Sequence, residues 1–182
     1  MLWNLARTVR NSDFWPDLIV GINRGGWPAA RVLSDMLDID ETASVKVEYY
    51  TGIRRRARRP VITQRLPIGV RGKNILLVDD VADSGRSLRL VTRYMSSADS
   101  ASLRIATIYY KPRSVVKPDF FERETSRWII FPWERFEAIR ELIGKAKRKG
   151  VSPHAVVSWM VRSGMKSRLA NEIVDEILGQ KK

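Results

Sequence analysis

An open, mainly parallel α/β sheet flanked by helices, with a small all-helical appendage at its C-terminal end, is the architecture that this 182-residue chain predicts. Three observations carry it. Apolar runs short enough to be buried strands alternate with amphipathic helical segments through the first two-thirds of the chain. Two of those runs lead directly into glycine turns that open helices. From about Glu134 the strand pattern stops and only helical periodicity remains.

Taken in order, Leu2, Leu5, Ala6 and Val9 keep helical spacing and predict a short first helix. DLIVGI (Asp17–Ile22) is a buried-strand run that ends in Asn23-Arg24-Gly25-Gly26. The helix that follows has Pro28 in its first turn, with Ala29, Val32, Leu33, Met36 and Leu37 as its expected inner face. SVKVEYY (Ser44–Tyr50) alternates as a strand. TGIRRRARR (Thr51–Arg59) is a basic loop, and Val61–Leu66 is expected to return as a strand. Ile75–Asp80 forms the second buried strand, with a helix from about Gly85 whose inner face is Leu88, Val91 and Met95. LRIATIYY (Leu103–Tyr110) is a third buried strand and WIIF (Trp128–Phe131) a short fourth. Beyond it come a helix over Glu134–Lys149, a helix opened by Ser152 as N-cap with Pro153 at its first position, and a helix over Ser167–Leu178 after the breaker Gly164. The expected domains are residues 1–134, which include a loop over about 51–62, and a helical extension over 135–182.

Composition narrows the classes. With 44% hydrophobic residues the chain can bury a core, so disorder is not the default. No cysteine is present, which excludes disulfides, thiolate metal sites and a cysteine nucleophile. No apolar run approaches the roughly 18–20 residues of a membrane span, and MLWNLARTVRNSDFW lacks the pattern of a signal peptide. A cytoplasmic protein without membrane contact is expected. The net charge of +13 is unevenly spread, with eight basic and no acidic residues in 51–73. Such a surface attracts polyanions, from nucleic acid to small phosphate esters, without choosing between them.

The stretch ILLVDDVADSGRSL (Ile75–Leu88) narrows that choice. A strand end needs one turn residue, not three acids within five positions, whose mutual repulsion must be offset by a cation or a ligand. Ser84-Gly85-Arg86-Ser87 combines two hydroxyl donors, a glycine and a cationic fork at a helix N-terminus, a setting in which backbone amides bind phosphate. Asp79 and Asp80 are acceptors suited to sugar hydroxyls or to Mg²⁺. One segment can therefore hold a sugar phosphate, and the turn Arg24-Gly25-Gly26 can receive a second phosphate group of the same ligand. Open α/β sheets bind ligands at these strand ends.

VDDVADSGRS strongly resembles the phosphoribosyl pyrophosphate (PRPP) motif of type I phosphoribosyltransferases, and the resemblance extends from about Asp17 to Glu134. It implies that Asp79 and Asp80 hold the ribose hydroxyls and that Ala82, Asp83, Ser84, Gly85, Arg86 and Ser87 hold the 5-phosphate. GINRGG resembles the family's pyrophosphate loop, which implies Arg24, Gly25 and Gly26 at the pyrophosphate and a cis peptide at Asn23–Arg24. YYKP and RWIIFPWE are most similar to the 6-oxopurine branch, which handles xanthine, guanine and hypoxanthine, in an archaeal-like version with a C-terminal helical extension. That similarity implies Lys111 at the exocyclic O6, Trp128 stacked on the base and the backbone of Ile129 at its edge. It further implies Asp83 as general base or electrostatic partner, Mg²⁺ as cofactor with Asp80 and Glu134 near it, residues 51–62 as a closing hood, and a homodimer or higher homo-oligomer. A second reading is a PRPP-sensing nucleic-acid-binding regulator on the same fold. It draws on the arginine-rich loop and the basic tail, but no clean basic stripe marks the Ser152–Leu178 hairpin.

Overall fold

The computed structural model describes residues 1–50 and 59–179. Two compact units divide the chain, Met1–Arg127 and the segment from Trp128 onward. The first unit holds helix α1 (Leu2–Arg10), strand β1 (Leu18–Asn23), helix α2 (Gly26–Leu37), strands β2 (Thr42–Tyr50), β3 (Arg59–Gln64) and β4 (Asn74–Ala82), helix α3 (Arg86–Ser96), and strands β5 (Ser102–Tyr110) and β6 (Phe120–Glu124). The six strands form one sheet in the order β3-β2-β1-β4-β5-β6, parallel throughout except for β3, which is antiparallel to β2. This is the mainly parallel open sheet expected from the sequence.

Strand and helix stripes meet to make the core. Leu18, Val20, Ile22, Val45, Ile75 and Leu77 point to one face, where Leu88, Val91 and Met95 of α3 cover them. Full burial of each large side chain stabilises the fold by about 1.5–3 kcal/mol. Against the other face lie α1, through Leu5 and Val9, and α2. A Cβ added at Gly21 would stand 3.0 Å from Ala30 Cβ, so glycine lets α2 close onto β1. Alternation along strands puts successive residues on opposite faces, which is why nearly every side chain of β1 and β4 is apolar up to Val78. At the rim, the Asp119 carboxylate accepts from the Ile105 amide at 2.8 Å and from Arg104 at 2.9 Å, fixing where β6 begins beside β5.

Four sequence expectations are corrected. Trp128–Phe131 is not a strand: Ile130 packs on the helical core of the second unit and Phe131 stacks on Trp133 at 5.0 Å. The sixth strand is Phe120–Glu124, whose half-polar sequence hides it. On α2, Val32 is exposed, and the buried stripe runs through Gly26, Ala29, Ala30, Leu33, Ser34 and Leu37. Ser34 belongs to it because its hydroxyl donates to Ile39 O at 2.8 Å. Ser152 does not cap a helix by its side chain. Its carbonyl accepts from the Ala155 amide in a single tight turn, and the helix begins at Ala155.

The second unit contains a 3₁₀ turn (Pro132–Glu134) and helices α4 (Arg135–Arg148), α5 (Ala155–Arg162) and α6 (Ser167–Gly179). Its core is Ile139, Ile143, Ala146, Val156, Met160, Ala170, Val174 and Ile177, drawn from all three helices. Glycines at 150 and 164 adopt positive φ at the two interhelical turns. Among the described residues, no helix is long and apolar enough to cross a membrane.

Candidate active site

The strand order places the first crossover to one side of β1 and the second to the other side of β4. Between those neighbours lies the switch point, where the two following loops part and leave a crevice at the strands' carboxyl ends. Both glycine turns lie there. After β1 the Asn23–Arg24 peptide is cis, as the resemblance implies, and Asn23 Nδ2 donates to Ser44 Oγ on β2 at 3.0 Å. Gly25 and Gly26 then bring the start of α2 against β4. A Cβ at Gly25 would lie 2.7 Å from Asp80 Cγ, and one at Gly26 2.8 Å from Asp79 Cα.

β4 extends past the apolar run and carries both acids within the strand. Asp79 and Asp80 therefore leave on opposite faces. Asp80 is only 6% exposed and lies against Gly25, whereas Asp79 lines a cleft on the α3 side. The Asp79 Oδ1 atom accepts from the Asp80 amide at 3.1 Å. Ala82 is fully buried, and its carbonyl accepts from the Lys111 amide at 3.1 Å. The Ser84 carbonyl accepts from the Val115 amide at the same distance, so the segment after β5 braces the turn from behind. Gly85 precedes α3 with φ 70°, a left-handed conformation that glycine adopts without steric cost. The first amides of α3 have no partner within the helix and face the turn, as helix N-termini do.

A cleft of about 310 Å³ results, lined by Asp79, Val81, Asp83, Ser84, Gly85, Ser87 and Leu88, with Tyr49 from the end of β2. Of the residues singled out in the sequence, it collects Asp79, Asp83, Ser84, Gly85 and Ser87. Ala82 lies beneath it, and Arg86 is exposed outside its lining.

Charge is concentrated on Asp83. Lys111, though only 5% exposed, sets its ammonium 3.2 Å from Asp83 Oδ1. Arg113 donates to the same oxygen through Nε at 3.0 Å and also through Nη2. Partial burial pushes the Asp83 carboxyl up, and the Arg113 and Lys111 cations beside it outweigh that, holding it below the usual carboxylate range. Both cations take Oδ1. A carboxylate so held keeps Oδ2 as its acceptor for a proton.

Two residues escape a reading of the sequence. Arg113 sits two positions after Lys111 and looks like a solvated loop residue, although the pair Lys-Pro-Arg was a signal that two cations leave β5 together. Tyr49 alternates within β2 like any strand aromatic, and nothing local marks its approach to Ser87, whose Oγ lies 3.1 Å from the phenol oxygen. Trp128, Ile129 and Glu134 belong to the second unit. There Trp128 is 58% exposed, Ile129 and Glu134 are half-buried, and the Glu134 amide donates to Phe131 O at 3.0 Å. Of the expected hood, residues 51–58 lie outside the described residues, and Arg59–Gln64 is strand β3.

Comparison with known proteins agrees with this geometry. The family model of the phosphoribosyl transferase domain matches residues 3–157. The chain is similar to the xanthine-guanine phosphoribosyltransferase of Cereibacter sphaeroides, 31% identical over 74% of this chain and 78% of the relative. It is likewise similar to that of a Ruegeria species, at 33% over 74% and 77%. Among solved structures, a purine phosphoribosyltransferase from Pyrococcus horikoshii superposes with a TM-score of 0.65 at 34% identity, covering 72% of this chain and 85% of that one. With a sheet, a turn and a sequence match that coincide over most of its length, the chain belongs to the phosphoribosyl transferase family.

Proposed function

We propose that this protein transfers ribose 5-phosphate from PRPP to a 6-oxopurine (xanthine, guanine or hypoxanthine), releasing pyrophosphate and giving a nucleoside monophosphate, a purine-salvage reaction. The observation that carries this reading is the Lys111–Asp83 pair, 3.2 Å apart, at the mouth of a phosphate-type turn. It offers a buried ammonium to an exocyclic oxygen and a carboxylate to a ring N–H within one substrate's reach. The names of the xanthine-guanine relatives support the same base class.

In this reading the amides and hydroxyls of Ala82–Ser87 hold the 5-phosphate, Asp79 and Asp80 hold the ribose hydroxyls, and Arg24, Gly25 and Gly26 receive the pyrophosphate. Lys111 donates to O6, Trp128 stacks on the base and the Ile129 backbone reads its edge. The C1–oxygen bond to pyrophosphate breaks with its electron pair leaving on oxygen, the purine N9–C1 bond forms, and Asp83 accepts the proton released from the imidazole ring. Arg24 and the turn amides stabilise the growing negative charge on the leaving group.

The donors suit Mg²⁺, which binds through one or two carboxylates together with substrate phosphates rather than in an all-protein cage. Asp80 and Glu134 are the residues proposed to hold it, directly or through water; among the described residues no group of three or more acids or histidines is gathered as a cage. When bound, the ion neutralises pyrophosphate charge. The protein is proposed to work as a homodimer or higher homo-oligomer, with residues 1–134 as the transferase domain and residues 135–182 as a separate helical extension.

The test incubates purified protein with PRPP, Mg²⁺ and each of xanthine, guanine, hypoxanthine, adenine, uracil and orotate. Nucleotide from at least one oxopurine is expected. Product from none of them ends the proposal.

A further inference from the structure

We infer that Tyr49 is an additional donor to the 5-phosphate, so that this subsite is walled by a phenol from β2 as well as by the turn after β4. The inference deepens the proposed function and rests on it.

Tyr49 stands one residue before the end of β2, at the carboxyl edge of the sheet, and is 41% exposed. Its hydroxyl oxygen lies 3.1 Å from Ser87 Oγ, and both side chains line the same cleft as Ser84 and Gly85. Either hydroxyl can donate to the other, so only one O–H is used between them. A phosphate oxygen seated at their apex draws both. Two donors 3.1 Å apart can each reach one anionic oxygen at about 2.7 Å, the length of a charge-assisted O–H···O⁻ bond. A cleft at the small end of ligand-site volumes, about 310 Å³, leaves the anion close to the phenol. Tyr50 makes a natural control, since strand alternation turns it to the opposite face and it is 59% exposed.

The experiment titrates ribose 5-phosphate calorimetrically into the full chain as wild type, Tyr49→Phe and Tyr50→Phe, and measures the Michaelis constants for PRPP and for the oxopurine. Tyr49→Phe removes one oxygen and keeps the ring's packing, and a thermal melt verifies that the fold is retained. Expected is about tenfold weaker ribose 5-phosphate binding in Tyr49→Phe, the size of one hydrogen bond to a charged group. A matching rise is expected in the PRPP constant alone, with Tyr50→Phe at the wild-type value. Equal affinity of Tyr49→Phe and wild type overturns the inference and leaves the transferase proposal standing, as does an equal loss for purine and PRPP, which would mean a general disturbance. Failure of the wild type itself to bind ribose 5-phosphate overturns both.

Discussion

At the end of β1, Gly25 and Gly26 are demanded by crowding alone: a side chain at 26 would run into the Asp79 backbone, yet Gly25 sits at φ −65°, open to any residue. At the end of β4, Gly85 is demanded twice, by φ 70° and by the Val116 amide, 2.8 Å from where its Cβ would stand. The first turn is therefore held by close packing on β4, against the Asp80 side chain at Gly25 and the Val78–Asp79 backbone at Gly26. The second is held by its own conformation as well as by a brace from behind. Two turns that look alike in sequence answer to different physical constraints, and of the two it is the second that carries a carboxylate, Asp83, at its lip.

The largest expected effect tests whether chemistry resides in the second turn. Asp83→Asn should lower turnover by about 10²–10⁴-fold, the usual range for a lost general base, with the ribose 5-phosphate dissociation constant unchanged. Steady-state kinetics and calorimetry check it, and unchanged turnover would remove Asp83 from the mechanism. Next in size, Gly26→Ala forces a methyl onto a backbone that has no flexible end to yield, and should destabilise the fold by about 3 kcal/mol. For a chain of this length that lowers the melting temperature by roughly 6–12 °C. Gly85→Ala should destabilise by about 2 kcal/mol, combining left-handed strain with the contact at Val116. Asparagine tolerates that backbone region better, so Gly85→Asn should recover part of the loss. Gly26→Asn should recover none, and equal recovery at both positions would erase the distinction between the turns.

The smallest effect concerns pH. Asp83 has a depressed carboxyl pKa in the folded state, so its pairing contributes stability that is complete above the ordinary aspartate value and is lost as pH falls through the lower folded value. Because Asp83 and Arg113 are both substantially solvent-exposed, the pairing is screened, and leaving Lys111 without its carboxylate should cost about 1 kcal/mol. Urea unfolding of wild type and Asp83→Asn should therefore differ by this amount at pH 7, and the difference should narrow as pH falls below the ordinary aspartate value. A gap that does not narrow with acidification would place the loss elsewhere than in the ion pair.

The parts legible in the sequence are those whose signal is local. The apolar runs of β1 and β4, the Leu88–Val91–Met95 stripe and the acid-rich turn after β4 each declare themselves within a dozen residues. What was hidden depends on partners far along the chain. WIIF has the composition of a strand, but its side chains are used by helices that follow it. Phe120–Glu124 has a weak pattern and becomes a strand because Asp119 pins its start to Ile105. Val32 and Ser34 exchange their expected places because the hydroxyl of Ser34 has a carbonyl to meet. Arg113 acquires meaning only when the segment after β5 folds back to Asp83, and Tyr49 only when β2 ends beside α3.

The parallel pairing of Leu18 with Ile75 joins stretches separated by more than fifty positions, and both walls of the cleft hang from that seam. Closing so long a span is entropically slow, so the pocket is among the late things this polypeptide acquires as it folds. Any small molecule bridging both turns clasps the seam shut. Its grip should consequently register as resistance to heat, growing with the logarithm of its concentration.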